Sequence, residues 1–290
     1  MMKAHRSMKT ATQLSLPVDS LPLQLQALRL HYIHEHYQEI ATQAAHDHWS
    51  HVDYLARLAE GEAHRREDQS VKNRVKAARF PLIKTLDDFE WNWPKKINRA
   101  QIQNLFRLSF VQENANVILL GPVGVGKSHI GIALGHAACL RGYSVLWTSA
   151  VDIINTLAAA QSTGSLKHEM KKYLKPRVLV IDELGYLPID KQGADSLFQI
   201  ISHRYEHGAL IVTSNRAYKQ WPETFNNDST LTSALLDRLL HHAETVVMKG
   251  TQTVFGRRSC SRRLRGTVQG YAEPYFDLPS FDADSVDDEP

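Results

Sequence analysis

Residues 121–128 read GPVGVGKS, between the apolar run NVILL and the helix-like stretch HIGIALGHAAC. Glycines at the first and sixth positions leave backbone N–H groups bare around a polyphosphate, where a Cβ would hold the anion off. Lys127 adds a point charge for the β- and γ-phosphates and Ser128 a hydroxyl for Mg²⁺, while the helix that starts here aims its positive end at the same phosphates. The expected nucleotide-binding set is therefore Gly121, Pro122, Val123, Gly124, Val125, Gly126, Lys127, Ser128 and His129.

A second constellation closes the apolar run VLVIDE, residues 178–183. Asp182 at the tip of a buried strand is placed to complete a Mg²⁺ shell with Ser128. Glu183, one residue on, can polarise a water for attack on the γ-phosphate, which favours hydrolysis over phosphoryl transfer to a small acceptor. The next run ends TSN, so Asn215 falls at a neighbouring strand tip, where its amide can hold that water or sense the γ-phosphate. No Asn-Lys-x-Asp guanine clamp follows, since the chain continues Arg216-Ala217-Tyr218, and the expected nucleotide is ATP.

The elements that must position these groups are legible in the hydrophobic pattern. NVILLG, YSVLWT, RVLVIDE, ALIVTS and ETVVMKG are near-continuous apolar runs separated by helical patterns, as parallel strands buried on both faces require. The predicted fold class is a three-layer α/β parallel sheet. Before Gly121 the chain holds one glycine, Gly61, and residues 21–79 read as helical. Leu21, Leu25, Leu28 and Tyr32, widened by Leu30, Ile33, Tyr37 and Ile40, form one apolar stripe. Ser50 with Asp53 marks an N-cap for a second helix bearing Val52, Leu55 and Ala59. A third run, from Arg65 to Arg79, carries Arg65, Arg66, Lys72, Arg74, Lys76 and Arg79 against Glu67 and Asp68. That run reads equally as a solvated face or a nucleic-acid surface. Phe80-Pro81 ends the helical region, and TLDDFEWNWP reads as a linker whose Trp91 and Trp93 serve packing.

Composition sets the limits. The chain has 290 residues, 43% hydrophobic and 22% charged, with net charge +3 and two cysteines. That is enough for a full core, too few cysteines for a disulfide framework, and too small a net charge to define a nucleic-acid surface without local clustering. No apolar stretch approaches the length of a membrane span and the N-terminus lacks a secretory h-region, so a cytoplasmic protein is expected. Eight of the fifteen histidines fall in the first 64 residues, but their spacing matches neither a zinc finger nor a His-Glu-x-x-His helix.

GPVGVGKSHI, RVLVIDELGYLPID, LIVTSN and LLDRLLHH, preceded by HYQEIATQAAHDHWSHVDYLARLAEGE, together resemble the IstB-like ATPases, helper proteins of insertion-sequence transposition. These are AAA+ proteins and kin to DnaC-like helicase loaders. The resemblance implies ATP and Mg²⁺ as cofactors, homo-oligomerisation as a ring or filament, binding and remodelling of double-stranded DNA, and a transposase as partner; the alternative is a replicative helicase loader. With the composition of the chain it gives a helical partner-docking domain at 1–80, a linker and the start of the ATPase domain at 81–115, an AAA+ core at 116–250 and an atypical basic then acidic tail at 251–290. It also implies that Arg238, in LLDRLLHH, reaches a neighbouring subunit's γ-phosphate, with Arg204 as the rival. The sequence departs from the family pattern after Gly250, and the position of the second sensor arginine has no clear match there, neither Arg257 nor Arg258 being assigned to it. Residues 267–290 are acidic, contain no Lys or Arg and are expected to be disordered.

Overall fold

The structure is a computed structural model in which residues 20–92 and 97–250 are described; Trp93, Pro94 and the whole of the 251–290 tail lie outside the described residues. Three helices lead: α1 (Leu21–Ala27), α2 (His31–His46) and α3 (His51–Ala78). After α4 (Arg99–Leu105) and α5 (Ser109–Gln112) come β1 (Asn116–Leu120), α6 (Lys127–Leu140) and β2 (Val145–Ser149). Then follow α7 (Ala150–Ser162), α8 (Leu166–Leu174), β3 (Val178–Leu184), α9 (Lys191–Arg204) and β4 (Ala209–Ser214). The described chain closes with α10 (Trp221–Thr224), α11 (Ser229–Leu240) and β5 (Ala243–Val247).

The five strands are parallel and lie in the order β2-β3-β4-β1-β5, each where an apolar run predicts one. Their side chains feed two separate cores. Val117, Leu119, Val178, Val180 and Ile211 face one layer with Ile130 and Leu134 of α6. Ile118, Leu179, Ile181 and Val212 face the other with Ile153, Leu197, Ile200 and Leu235 of α7, α9 and α11. Both faces being covered, the strands need no polar side, which explains their unbroken Val/Ile/Leu character. The core also takes in the end of α3, whose Val75 and Ala78 pack with the α6 layer.

The leading helices differ from the sequence expectation in two places. The apolar stripe of residues 21–40 is broken between α1 and α2, where Arg29 takes a left-handed φ of 56° and leaves Leu28 exposed. Conversely, the two helices expected over 51–79 are one 28-residue helix, α3, which runs through Gly61 without interruption. The Ser50 capping box is present: Ser50 Oγ accepts from Asp53 N at 3.1 Å, and Asp53 Oδ2 accepts from Ser50 N at 3.3 Å. Val52 and Leu55 are exposed on it.

Glu62 joins α3 to α2. Its carboxylate, 6% exposed, accepts from the Tyr32 and Ile33 amides at 2.8 and 3.5 Å, capping the start of α2, and from Arg66 Nε at 3.0 Å. Burial opposes its charge, but these donors more than offset that and hold the carboxyl below the ordinary glutamate pKa. A pKa lower folded than unfolded gives stabilisation that is complete above the unfolded value near ~4.3 and lost as pH falls through the folded value. Glu62→Gln is therefore expected to lower unfolding free energy by about 1–2 kcal/mol at pH 7. The difference from wild type should shrink at acid pH, as denaturant titrations at pH 7 and pH 3 would show.

Candidate nucleotide site

The loop between β1 and α6 is built around close backbone approach. A Cβ at Gly121 would lie 2.3 Å from the Met248 carbonyl oxygen, and one at Gly126, where φ is +92°, would lie 2.6 Å from the Phe89 ring. Gly121 N–H donates to Ser214 O at 3.2 Å, tying the loop to the tip of β4. Gly126 is the N-cap of α6, so the unpaired first-turn amides and positive dipole end of a 14-residue helix open onto the loop. Lys127 Nζ folds over it and donates to Pro122 O at 2.8 Å. Burial lowers the Lys127 pKa, and the charges of Asp182 and Glu183 oppose that shift. An ammonium held in this partly desolvated place can exchange one carbonyl for phosphate oxygens.

Asp182, at 6% exposure, accepts from Ser128 Oγ at 2.9 Å and from Thr213 Oγ1 at 2.5 Å on the same Oδ1. The hydroxyl and carboxylate that the sequence pairs for Mg²⁺ are thus in contact, hard oxygen donors of the kind this ion takes. Glu183 is exposed, with a left-handed φ of 60°, and its N–H donates to Thr213 Oγ1 at 2.9 Å. The β3–β4 register shifts between Ile181 and Leu184, turning Glu183 out of the sheet. Asn215 follows the last residue of β4, and its Oδ1 is buried without a hydrogen-bond partner among the described residues. A buried acceptor left open is what a ligand or held water would satisfy.

Three contributors escape a reading of sequence spacing. Thr213 sits inside an apolar strand run, where it reads as an ordinary β-former, yet its hydroxyl links Asp182 to the Glu183 backbone. Phe89 and Thr85 precede β1 and reach the loop only through the fold: His129 Nε2 lies 2.8 Å from Thr85 O, and its ring meets Phe89 edge-on at 5.3 Å. His129 is thus engaged with this flanking segment. Trp91 packs edge-to-face on Phe89, with Arg99 stacked 4.7 Å over its ring.

Thr213→Val removes the link without changing side-chain volume much. It is expected to lower turnover about 10–100-fold, as loss of an outer-shell orienting group does, with ATP affinity nearly kept. Thr213→Ser should restore most of the rate. Steady-state kinetics on both variants checks this, and a fall in affinity alone would show that the hydroxyl only shapes the binding loop.

The two arginines compared for the intersubunit role separate sharply. Arg204 is 2% exposed and donates to five carbonyls, those of Tyr173, Leu174, Pro176, Arg177 and Ala209, at 2.9–3.4 Å. Burial lowers its pKa to about 10. It staples α8, α9 and the starts of β3 and β4, a commitment that argues against an intersubunit role. Arg238 is partly exposed, stacks 4.8 Å over the Phe198 ring and donates to Ala234 O at 3.1 Å. Neither Asp237 nor Glu244 pairs with it among the described residues.

A parallel sheet in the order β2-β3-β4-β1-β5, with a glycine loop after β1, paired carboxylates at the tip of β3 and a polar tip on β4, defines a P-loop AAA+ protein. The chain belongs to the IstB-like ATP binding protein family, whose model matches residues 23–260. It is 37% identical over 223 residues to the insertion sequence IS5376 ATP-binding protein of Geobacillus stearothermophilus, covering 77% of this chain and 88% of that one. It is 36% identical over 230 residues to the insertion sequence IS21 ATP-binding protein of Pseudomonas aeruginosa, covering 79% and 86%. Among solved structures it is similar to DnaI, with a TM-score of 0.50 at 19% identity over 60% of this chain and 93% of that one. It spans about half (49%) of the length of DnaA from Aquifex aeolicus, with a TM-score of 0.47 at 20% identity over 57% of this chain. The DnaI likeness is one of fold. No helix among the described residues is long and apolar enough to cross a membrane.

Proposed function

We propose that this chain is an ATP-hydrolysing helper of transposition that assembles on double-stranded DNA and recruits or activates its transposase. The observation that carries the reading is the hydrogen-bonded chain Ser128–Asp182–Thr213–Glu183 beside the glycine loop, with exposed Glu183 at its end. The loop amides, Lys127 and the α6 N-terminus bind and orient the triphosphate of ATP. Ser128 and Asp182 would hold Mg²⁺, which neutralises charge on the β- and γ-phosphates. Glu183 takes the proton of the attacking water, and Asn215 fixes that water or the γ-phosphate. Arg238 of an adjacent subunit completes the site. The exposed Tyr186 and Leu187 beside Glu183 supply an apolar rim on which such a subunit can pack.

The relatives belong to insertion sequences, which supports a transposase as the partner. For DNA, the basic run of α3 offers less than its sequence suggests. Arg65 pairs with Glu35, Arg66 with Glu62 and Arg74 with Glu67, which leaves Lys72, Lys76 and Arg79 outside the ion pairs of the described residues. Duplex affinity should still fall steeply with salt, with a logarithmic slope of roughly −0.9 per phosphate neutralised, and Lys72→Ala with Lys76→Ala should flatten it by about two such steps. A titration between low and physiological salt tests this. A flat dependence in wild type removes DNA as the main partner, and capture of a replicative helicase instead of the transposase by the full chain moves it to the loader reading.

A further inference from the structure

At the end of the sheet opposite the nucleotide loop, where the strands begin, the ends of two helices meet. α9 stops at Arg204 and α11 at Leu240, just ahead of β4 and β5, and the residues that follow them are Tyr205-Glu206-His207 and His241-His242. Glu206, His241 and His242 are all exposed, and each presents a ligand atom within 4.8 Å of the others. The two imidazoles are steeply inclined to each other, 77° apart with centroids separated by 4.3 Å.

Two features make this more than a chance group of polar side chains. The Tyr205 hydroxyl lies 3.0 Å from His241 Nδ1. In the tautomer that donates this bond the proton sits on Nδ1 and Nε2 is left as a free lone pair, the arrangement in which an outer partner orients a metal-bound histidine. Second, Asn114 Nδ2 donates to Glu206 O at 2.9 Å, which pins the turn carrying the carboxylate. The carbonyl ends of two helices add their negative dipole ends.

We propose that Glu206, His241 and His242 form a Zn²⁺-binding site that ties the end of α9 to the end of α11. Two imidazole nitrogens and one carboxylate oxygen are a donor set suited to Zn²⁺, with bonds of about 2.0–2.1 Å and hence donors about 3.3 Å apart in a tetrahedron, the fourth place falling to water. Exposed side chains reach that spacing from 4.8 Å by small rotations. Arg238 lies one helical turn before His241 and stacks on Phe198 of α9, so the ion would stiffen the helix pair that presents this arginine.

The test uses the full chain with any affinity tag removed. Zn²⁺ itself is the probe, titrated against a chromophoric chelator, and Co²⁺ substitution reports coordination by its visible absorption. Wild type should bind one more equivalent of Zn²⁺ than His242→Ala. Glu206→Gln should weaken that equivalent at least tenfold, and both variants should lose the Co²⁺ bands. Because the chain carries other histidines, a His31→Ala, His34→Ala variant serves as control and should keep the equivalent. These side chains are exposed, so ATP binding by the variants verifies that they fold. Equal stoichiometry and affinity in wild type, His241→Ala and His242→Ala would overturn the proposal, as would loss of the equivalent in the N-terminal control alone.

Discussion

Glu183→Gln is expected to bind ATP as wild type does and to hydrolyse it about 10²–10⁴-fold more slowly, the range that a positioned general base contributes. The amide keeps the size of the side chain and the left-handed backbone at this position, which is held by Thr213 through the Glu183 N–H. What it loses is the ability to take a proton from water. Lys127→Ala should fail one step earlier, because its ammonium contributes charge to the triphosphate and its partner Pro122 O has no such role. Equilibrium binding of a fluorescent ATP analogue alongside phosphate release separates the two. Hydrolysis by Glu183→Gln at the wild-type rate would take the water-activating role away from this residue.

Arg238→Ala should bind ATP normally and hydrolyse it about a thousandfold more slowly, since an arginine supplied to the transferring phosphoryl group contributes on that order. The structure offers a reason why Arg238 is available: its guanidinium rests on Phe198 and on a carbonyl of its own helix, contacts that a neighbour's phosphate can replace, whereas Arg204 is committed to five carbonyls. Guanidinium stacking on an aromatic face holds the group at modest cost to release. If the arginine acts across subunits, mixing Arg238→Ala with Lys127→Ala restores part of the activity, because some mixed interfaces join an intact loop to an intact arginine. Turnover measured against mixing ratio checks this, and a mixture that co-assembles yet stays inactive would place the arginine's action within its own subunit.

The strands and the glycine loop were legible because both are local statements: a run such as VLVIDEL buries both faces of a strand wherever it sits, and GPVGVGKS needs only its own backbone and the helix after it. The break between α1 and α2 was not legible, since Arg29 adopts a left-handed conformation with neither glycine nor proline to mark it. The fusion into one α3 escaped for the opposite reason, the charged run from Arg65 to Arg79 being read apart from the apolar positions before it. Within the site, Lys127, Ser128, Asp182 and Glu183 were visible from residue type and spacing. Thr213 and Phe89 were not, because their roles come from register with β3 and from a segment lying more than thirty residues before the loop it touches. Only the fold brings those atoms together.

The proposed function implies that ATP at this loop controls assembly on DNA, with hydrolysis at Glu183 ending each bound state. The most direct measurement is the lifetime of the protein on duplex DNA, followed after addition of excess competitor DNA, for wild type and Glu183→Gln with and without ATP. The account predicts short-lived complexes for both proteins without ATP, and with ATP a Glu183→Gln complex that outlasts the wild-type one by the factor lost in hydrolysis. Equal lifetimes for the two proteins in ATP, or lifetimes that ATP does not change, would contradict it.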